Sequence, residues 1–321
     1  MRRRELIIAL GGATAALPFW GARAQANKVP SIGLLDPGLP ELFAAFLEGM
    51  RELGYTEGQN VSYLHLSAEG RPERIAQLAS ELIDRNPDVI VTAGPLQVRA
   101  VQERMSKIPL VFAALGDAVG SGVVSNLAHP GGNVTGLSFL NTEISQKRLE
   151  LLRDMLPGLQ RVTLLADAAS PTRTIESTEA AARRLSLTTD LLKIKGLDDF
   201  ETAFRSASEA RAQAIDVLAS PFFNSNRARL IDLALKYKLP AIYETGEYVR
   251  DGGLLAYGPN LSELFRRAAS YVHRILVGAK PGDLPVEQPT KFELSINLKT
   301  ARAIGLTVSE PFLLRADDIV E

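Results

Sequence analysis

Apolar positions along this chain follow two spacings in turn. Ile32-Gly33-Leu34-Leu35 is an unbroken apolar run, suited to a strand buried on both faces. Leu39, Leu42, Phe43, Phe46, Leu47, Met50 and Leu53 then recur at three and four, one face of a helix, with Gly54 as its stop. A strand is expected over Val61 to Leu66. A helix follows over Pro72 to Arg85, with Ile75, Leu78, Ala79, Leu82 and Ile83 inward. Val89-Ile90-Val91 and Leu110-Val111-Phe112 read as further buried strands, and "AHPGGNVTG" at 128 to 136 carries turn chemistry.

This order recurs. "SIGLLD" from Ser31 matches "RVTLLAD" from Arg161, "PDVIVTAG" matches "IDVLASP" through Asp88 and Asp216, and "KIPLVF" matches "KLPAIY" through Pro109 and Pro240. All three offsets are about 130 residues, which reads as two copies of one α/β unit. Regular strand–helix alternation argues for an α/β chain of two units, each a parallel sheet with helices on both faces. After the second copy come a helix over Leu261 to Val277, a proline-rich extended connector, and a strand and short helix in "KFELSINLKTARAIGL". The chain therefore crosses between lobes more than once. The expected division is a leader at 1–26, a first lobe of 27–139 plus 260–285, and a second of 140–259 plus 286–321.

The leader has the pattern of an export signal. Arg2, Arg3 and Arg4 precede a moderately apolar stretch from Leu6 to Leu17, and Ala22-Arg23-Ala24, or as a second option Ala24-Gln25-Ala26, offers a small-x-small cleavage site. The apolar stretch is too short to span a bilayer. Arg3-Arg4 fits the twin-arginine route and equally the positive end of a general secretory signal; either route places the mature chain in the periplasm. The 321 residues carry a formal net charge of −1, with no footprint for nucleic acid or an anionic membrane surface. No cysteine is present, which excludes disulfides, thiolate catalysis and a lipidated N-terminal cysteine.

Ligands of open parallel sheets sit beyond the carboxyl ends of the strands. That rule selects loops beginning at Asp36, at Thr92 to Pro95 and at Ala114-Leu115-Gly116-Asp117 in the first copy. In the second it selects loops at Asp167, at Ser220 to Phe223 and at Tyr243-Glu244. Facing copies would bring all six into one cleft, with Tyr257 on its hinge side. Gly94 and Pro95 suit a helix start whose free amides, helped by the Thr92 hydroxyl, could hold a carboxylate; an ordinary capped helix start is the alternative. Asp36, Asp117, Asp167 and Glu244 could accept from an ammonium group or hydroxyls, or be solvated loop and capping carboxylates. Phe222 and Phe223 cannot both enter one core if the strand runs through them. Ser225 or Asn226 is expected to cap the following helix, leaving both rings in a loop with one of them in the cleft.

Three scattered histidines and no H-E-x-x-H give no metal site. There is no G-x-S-x-G elbow, no Walker A loop and no dinucleotide fingerprint, so no cofactor is expected. A cleft of carboxylates, hydroxyls and aromatics without a nucleophile–base pair fits binding better than turnover.

The segments "FLEGMRELGYTEGQNV", "HPGGNVTGLSFL", "KRLELLRDMLP", "SPFFNSNRARLIDLALKYKLPAIYE", "GGLLAYGPN" and "QPTKFELSINLKTARAIGLTV" closely resemble the ABC-transporter substrate-binding protein family that includes the TrpX-like tryptophan/phenylalanine-binding proteins. The match runs from about Val29 to the C-terminus. The resemblance implies a type I periplasmic-binding-protein fold, with two Rossmann-like lobes of parallel sheet joined by three crossings and closing on a small molecule. It implies a permease partner in the inner membrane, and the chain is expected to act as a monomer that does not insert into the membrane. "DAASPTRTIEST" departs from the Asn/Pro-rich loop usual there, which puts the ligand's identity in doubt. A ligand-sensing receptor of the same fold and an exported α/β enzyme are the alternatives. The first would need an attached signalling module and the second a catalytic constellation.

Overall fold

The computed structural model describes residues 29–104, 107–139 and 141–321; the expected leader lies outside them. The first sheet contains β1 (Ser31–Asp36), β2 (Ser62–Ser67), β3 (Val89–Ala93), β4 (Leu110–Leu115) and β5 (Val134–Ser138), all parallel in the order β2-β1-β3-β4-β5. Helices α1 (Pro40–Glu52), α2 (Ile75–Asp84) and α3 (Pro95–Glu103) connect the first four strands. Ile32, Leu34 and Leu35 are fully buried because helices cover both faces, which is why the run is apolar without alternation. The helix expected from Pro72 begins as one tight 3₁₀ turn over Pro72–Arg74 before α2 proper.

Helix α4 (Asn141–Met155) opens the second half. It leads through β6 (Arg161–Asp167), α5 (Thr172–Arg184), β7 (Thr188–Ile194), α6 (Asp199–Glu209), β8 (Ala214–Val217), α7 (Pro221–Ser225), α8 (Arg227–Lys236), β9 (Ala241–Tyr243), α9 (Gly246–Arg250) and β10 (Leu255–Gly258). Then come α10 (Leu261–Leu276), β11 (Glu293–Asn297), α11 (Leu298–Ala303), α12 (Glu310–Leu313) and β12 (Asp318–Val320). The second sheet runs β12-β11-β10-β9-β8-β6-β7. Its stretch β7-β6-β8-β9-β10 repeats the order of the first sheet, the topological form of the sequence repeat. Strands β11 and β12 are additions, and β11 lies antiparallel to β10.

Helix α10 follows the second copy in sequence but packs on α1 of the first. Phe43 and Phe265 meet edge to face at 5.2 Å between ring centroids. Gly49 permits the approach of the two helices, since a Cβ there would lie 2.5 Å from the Arg266 carbonyl oxygen. The chain passes between the sheets after β5, after β10 and again before β11. Two of these passages are tied side by side, with Ser138 N donating to Glu287 O at 2.8 Å and Glu287 N to Gly136 O at 3.1 Å. Among the described residues no helix is long and apolar enough to cross a membrane.

Candidate functional site

A cavity of about 350 Å³ lies between the carboxyl ends of the two sheets, with walls from both. This is within the usual range for small-molecule sites. Gly94, Gly116 and Asp117 line it from the first sheet, and Asp167, Phe222 and Glu244 from the second. Gly94 is the N-cap of α3 with φ of 82°, followed by Pro95 at the first helical position. A Cβ at Gly94 would collide with the ring of Pro221, so the glycine lets the two lobes touch. Beside it Asn226 Nδ2 donates to Gly70 O at 3.4 Å, and Arg227 pairs with Glu41 at 3.0 Å. The cleft is held closed along this rim.

Ser220-Pro221 occupies in the second sheet the place of Gly94-Pro95 in the first. The Ser220 hydroxyl accepts from Phe222 N at 3.1 Å and Phe223 N at 3.4 Å, and donates to the Asp167 carboxylate. Asn226 is the N-cap of α8 as expected, though without a side-chain capping bond, while Ser220 caps α7, a short helix the sequence reading did not expect. The two phenylalanines sit in the first turn of α7 rather than in a loop. A helical turn points neighbouring side chains about 100° apart, and the rings part accordingly. Phe222 reaches the cavity wall, whereas Phe223 is fully buried, 6.0 Å from the Phe200 ring.

Four further candidates lie off the cavity wall for identifiable reasons. Asp36 accepts from Gly38 N and Leu39 N and faces His65 at 3.1 Å, so its carboxylate shapes the turn into α1. Although burial opposes it, those hydrogen bonds and His65 hold its pKa below the usual value. The Thr92 hydroxyl, fully buried, donates to Leu35 O at 2.7 Å and ties β3 to β1. Tyr243 points to the opposite face of the sheet from Glu244 and stacks on Tyr248 at 4.3 Å. Tyr257 stacks on Phe292 at 6.1 Å, beside the passage into β11. Thr92→Val should lower the urea midpoint by an amount equivalent to about 1 kcal/mol while leaving ligand affinity unchanged, because the lost hydrogen bond is structural.

The inner wall offers acceptors. Glu244 is 6% exposed, and burial pushes its carboxyl up to about 7, with Arg148 opposing the rise. Burial also raises Asp167, against the Ser220 hydroxyl and backbone amides that favour its charge. Gln97 Oε1 borders the cavity, buried and without a hydrogen-bond partner, and the Ser170 hydroxyl lies beside the Asp167 carboxylate. Arg99 and Lys195 stand at the exposed mouth. Sequence reasoning did not single out Gln97, Ser170, Arg99, Lys195 or the rim residue Arg227, and it named Asn226 only as a helix cap. The repeat itself was a signal for Ser220, which aligns with the Gly94 turn. Among the described residues no group of three or more His, Asp or Glu is placed to hold a metal ion.

The profile of the ABC transporter substrate binding protein family matches residues 32–320. The chain is 24% identical over 298 residues to the tyrosine-binding protein of Clostridioides difficile strain R20291, covering 88% of this chain and 83% of the relative. Among solved structures, a conserved domain protein from Vibrio cholerae shares 27% identity with a TM-score of 0.85, covering 91% of this chain and all of that one. An ABC domain from Streptococcus pneumoniae in complex with L-Trp superposes at a TM-score of 0.83 with 24% identity, covering 91% and 99% of the two chains.

Proposed function

We propose that this chain, which belongs to the ABC transporter substrate binding protein family, captures an aromatic amino acid or a close analogue in the cleft between its lobes. The family's members are binding proteins that hand a small molecule to a membrane permease, and we place this chain in that role rather than among enzymes. The observation that carries the reading is the cavity walled by both lobes, with Phe222 and Phe139 beside buried carboxylates. An aromatic side group would pack on those rings, a ligand carboxylate would face the α3 start or the basic mouth, and its amine would face Glu244 or Asp117. The relatives that bind tyrosine and L-Trp support the ligand class. The leader supports delivery to the periplasm, where the mature chain would act as a monomer.

Closure follows because only the closed arrangement touches a ligand with both lobes. A thermal-shift screen of the mature chain against the common amino acids is expected to raise Tm with L-phenylalanine, L-tyrosine or L-tryptophan, and mass spectrometry should find the ligand unchanged. No shift from any aromatic amino acid would overturn the ligand class. Phe222→Ala should weaken the best of them roughly 2- to 12-fold, the worth of about 0.5–1.5 kcal/mol of ring contact, measured by calorimetry.

A further inference from the structure

Helix α4 lies across one face of the second sheet, over β8 and β10. From it Arg148 reaches Asp216 in β8, Nε to Oδ1 at 3.3 Å, with both residues almost entirely buried. The Asp216 carboxylate has no hydrogen-bond partner, so the guanidinium is its compensation. Asp216 pairs in register with Ile242, two residues before Glu244, so the acid at the cavity floor emerges on this same face. One buried cation thus stands against two buried carboxylates, Asp216 and Glu244. A buried ion pair adds little net stability, and an acid left over beside it is costly unless a proton or another cation joins it.

We infer that Arg148 is a positioning residue for ligand recognition, acting through Glu244, and that the missing cation of this buried charge set is an ammonium group on the ligand. The inference rests on the cleft being the ligand site. Every other titratable group acting on Glu244 from its surroundings is acidic or phenolic: Asp167 at the end of β6, and Glu247 and Tyr248 on α9. Arg148 and a hydrogen bond from the Ser220 backbone amide favour its charged form. Burial sets the Glu244 carboxyl near 7, so the free protein is partly protonated there at neutral pH. An incoming ammonium favours the carboxylate and expels that proton. Affinity for a cationic ligand therefore rises as pH climbs through about 7.

The test is calorimetric titration of the mature chain between pH 6 and pH 8. The probes are L-phenylalanine, phenethylamine and 3-phenylpropionate. Wild type should bind the amino acid and the amine about tenfold more tightly at pH 8 than at pH 6, with proton release that Glu244→Gln removes, and should not bind 3-phenylpropionate. Arg148→Met should move the midpoint of the pH profile upward and weaken binding at pH 7, whereas Asp216→Asn, which frees the guanidinium for Glu244, should move it downward. The opposite signs separate a charge effect from loss of structure. Should Arg148→Met fail to fold, the direction of the Asp216→Asn shift decides. A flat profile, unmoved midpoints, or 3-phenylpropionate binding as tightly as phenethylamine would overturn the inference while leaving the cleft as the ligand site. Failure of wild type to bind any of the three, with L-tyrosine and L-tryptophan failing as well, would overturn both.

Discussion

Replacing Phe223 with alanine is expected to destabilise the protein by about 3–5 kcal/mol, the usual cost of removing a fully buried ring. The ring is 0% exposed and meets Phe200 and Phe222 at 6.0 and 5.8 Å. These lie over the face of the second sheet that carries Ile215 and Val217. Its neighbours are themselves packed in the core, so they would close the hole only in part. Tm should fall by roughly 6–20 °C. Phe222→Ala removes a ring of the same size whose edge already meets the cavity, and should cost less stability while lowering affinity. Thermal unfolding and calorimetry on the two variants distinguish them. Equal stability losses would show that the rings are not divided between core and cleft.

The second large effect is expected at Gly94→Ala. The residue has φ of 82°, where an L side chain costs about 1–3 kcal/mol. That strain acts whether the lobes are apart or together. The added methyl also meets the Pro221 ring, and this contact exists only when the cleft is closed. A clash of about 1–3 kcal/mol confined to the closed arrangement weakens binding by roughly 5- to 150-fold. Titration with L-phenylalanine measures the loss, and small-angle scattering should show reduced compaction on adding it. Pro221→Ala in the same chain should recover part of the affinity by relieving the collision but not the backbone strain. Undiminished affinity in Gly94→Ala would mean that the Gly94–Pro221 contact plays no part in closure.

The strands, the repeat and the α/β class were legible because strands buried on both faces write themselves as unbroken apolar runs. The carboxyl-end rule found the right loops, yet within each loop it could not separate groups that face the cavity from those that build the turn. Asp36 and Asp167 end equivalent strands. One is consumed by the turn into α1, while the other borders the cavity with a carboxylate held by Ser220. Tyr243 and Glu244 are neighbours that alternation sends to opposite faces of the sheet. Thr92 offers a hydroxyl that its own sheet already uses. Arg148 and Asp216 were hidden differently, since their meeting depends on how α4 crosses the second sheet. An aspartate inside the buried run Ile215-Asp216-Val217-Leu218 was the one local sign that a partner must exist.

The late return of α10 to the first lobe governs the order in which the molecule is made. A chain present only as far as Gly258 has every strand of the first sheet, but no α10 to cover Phe43 and Phe46. The lobe that comes first in the sequence therefore cannot finish its core until the second copy has been passed and α10 has joined it, wherever the chain folds.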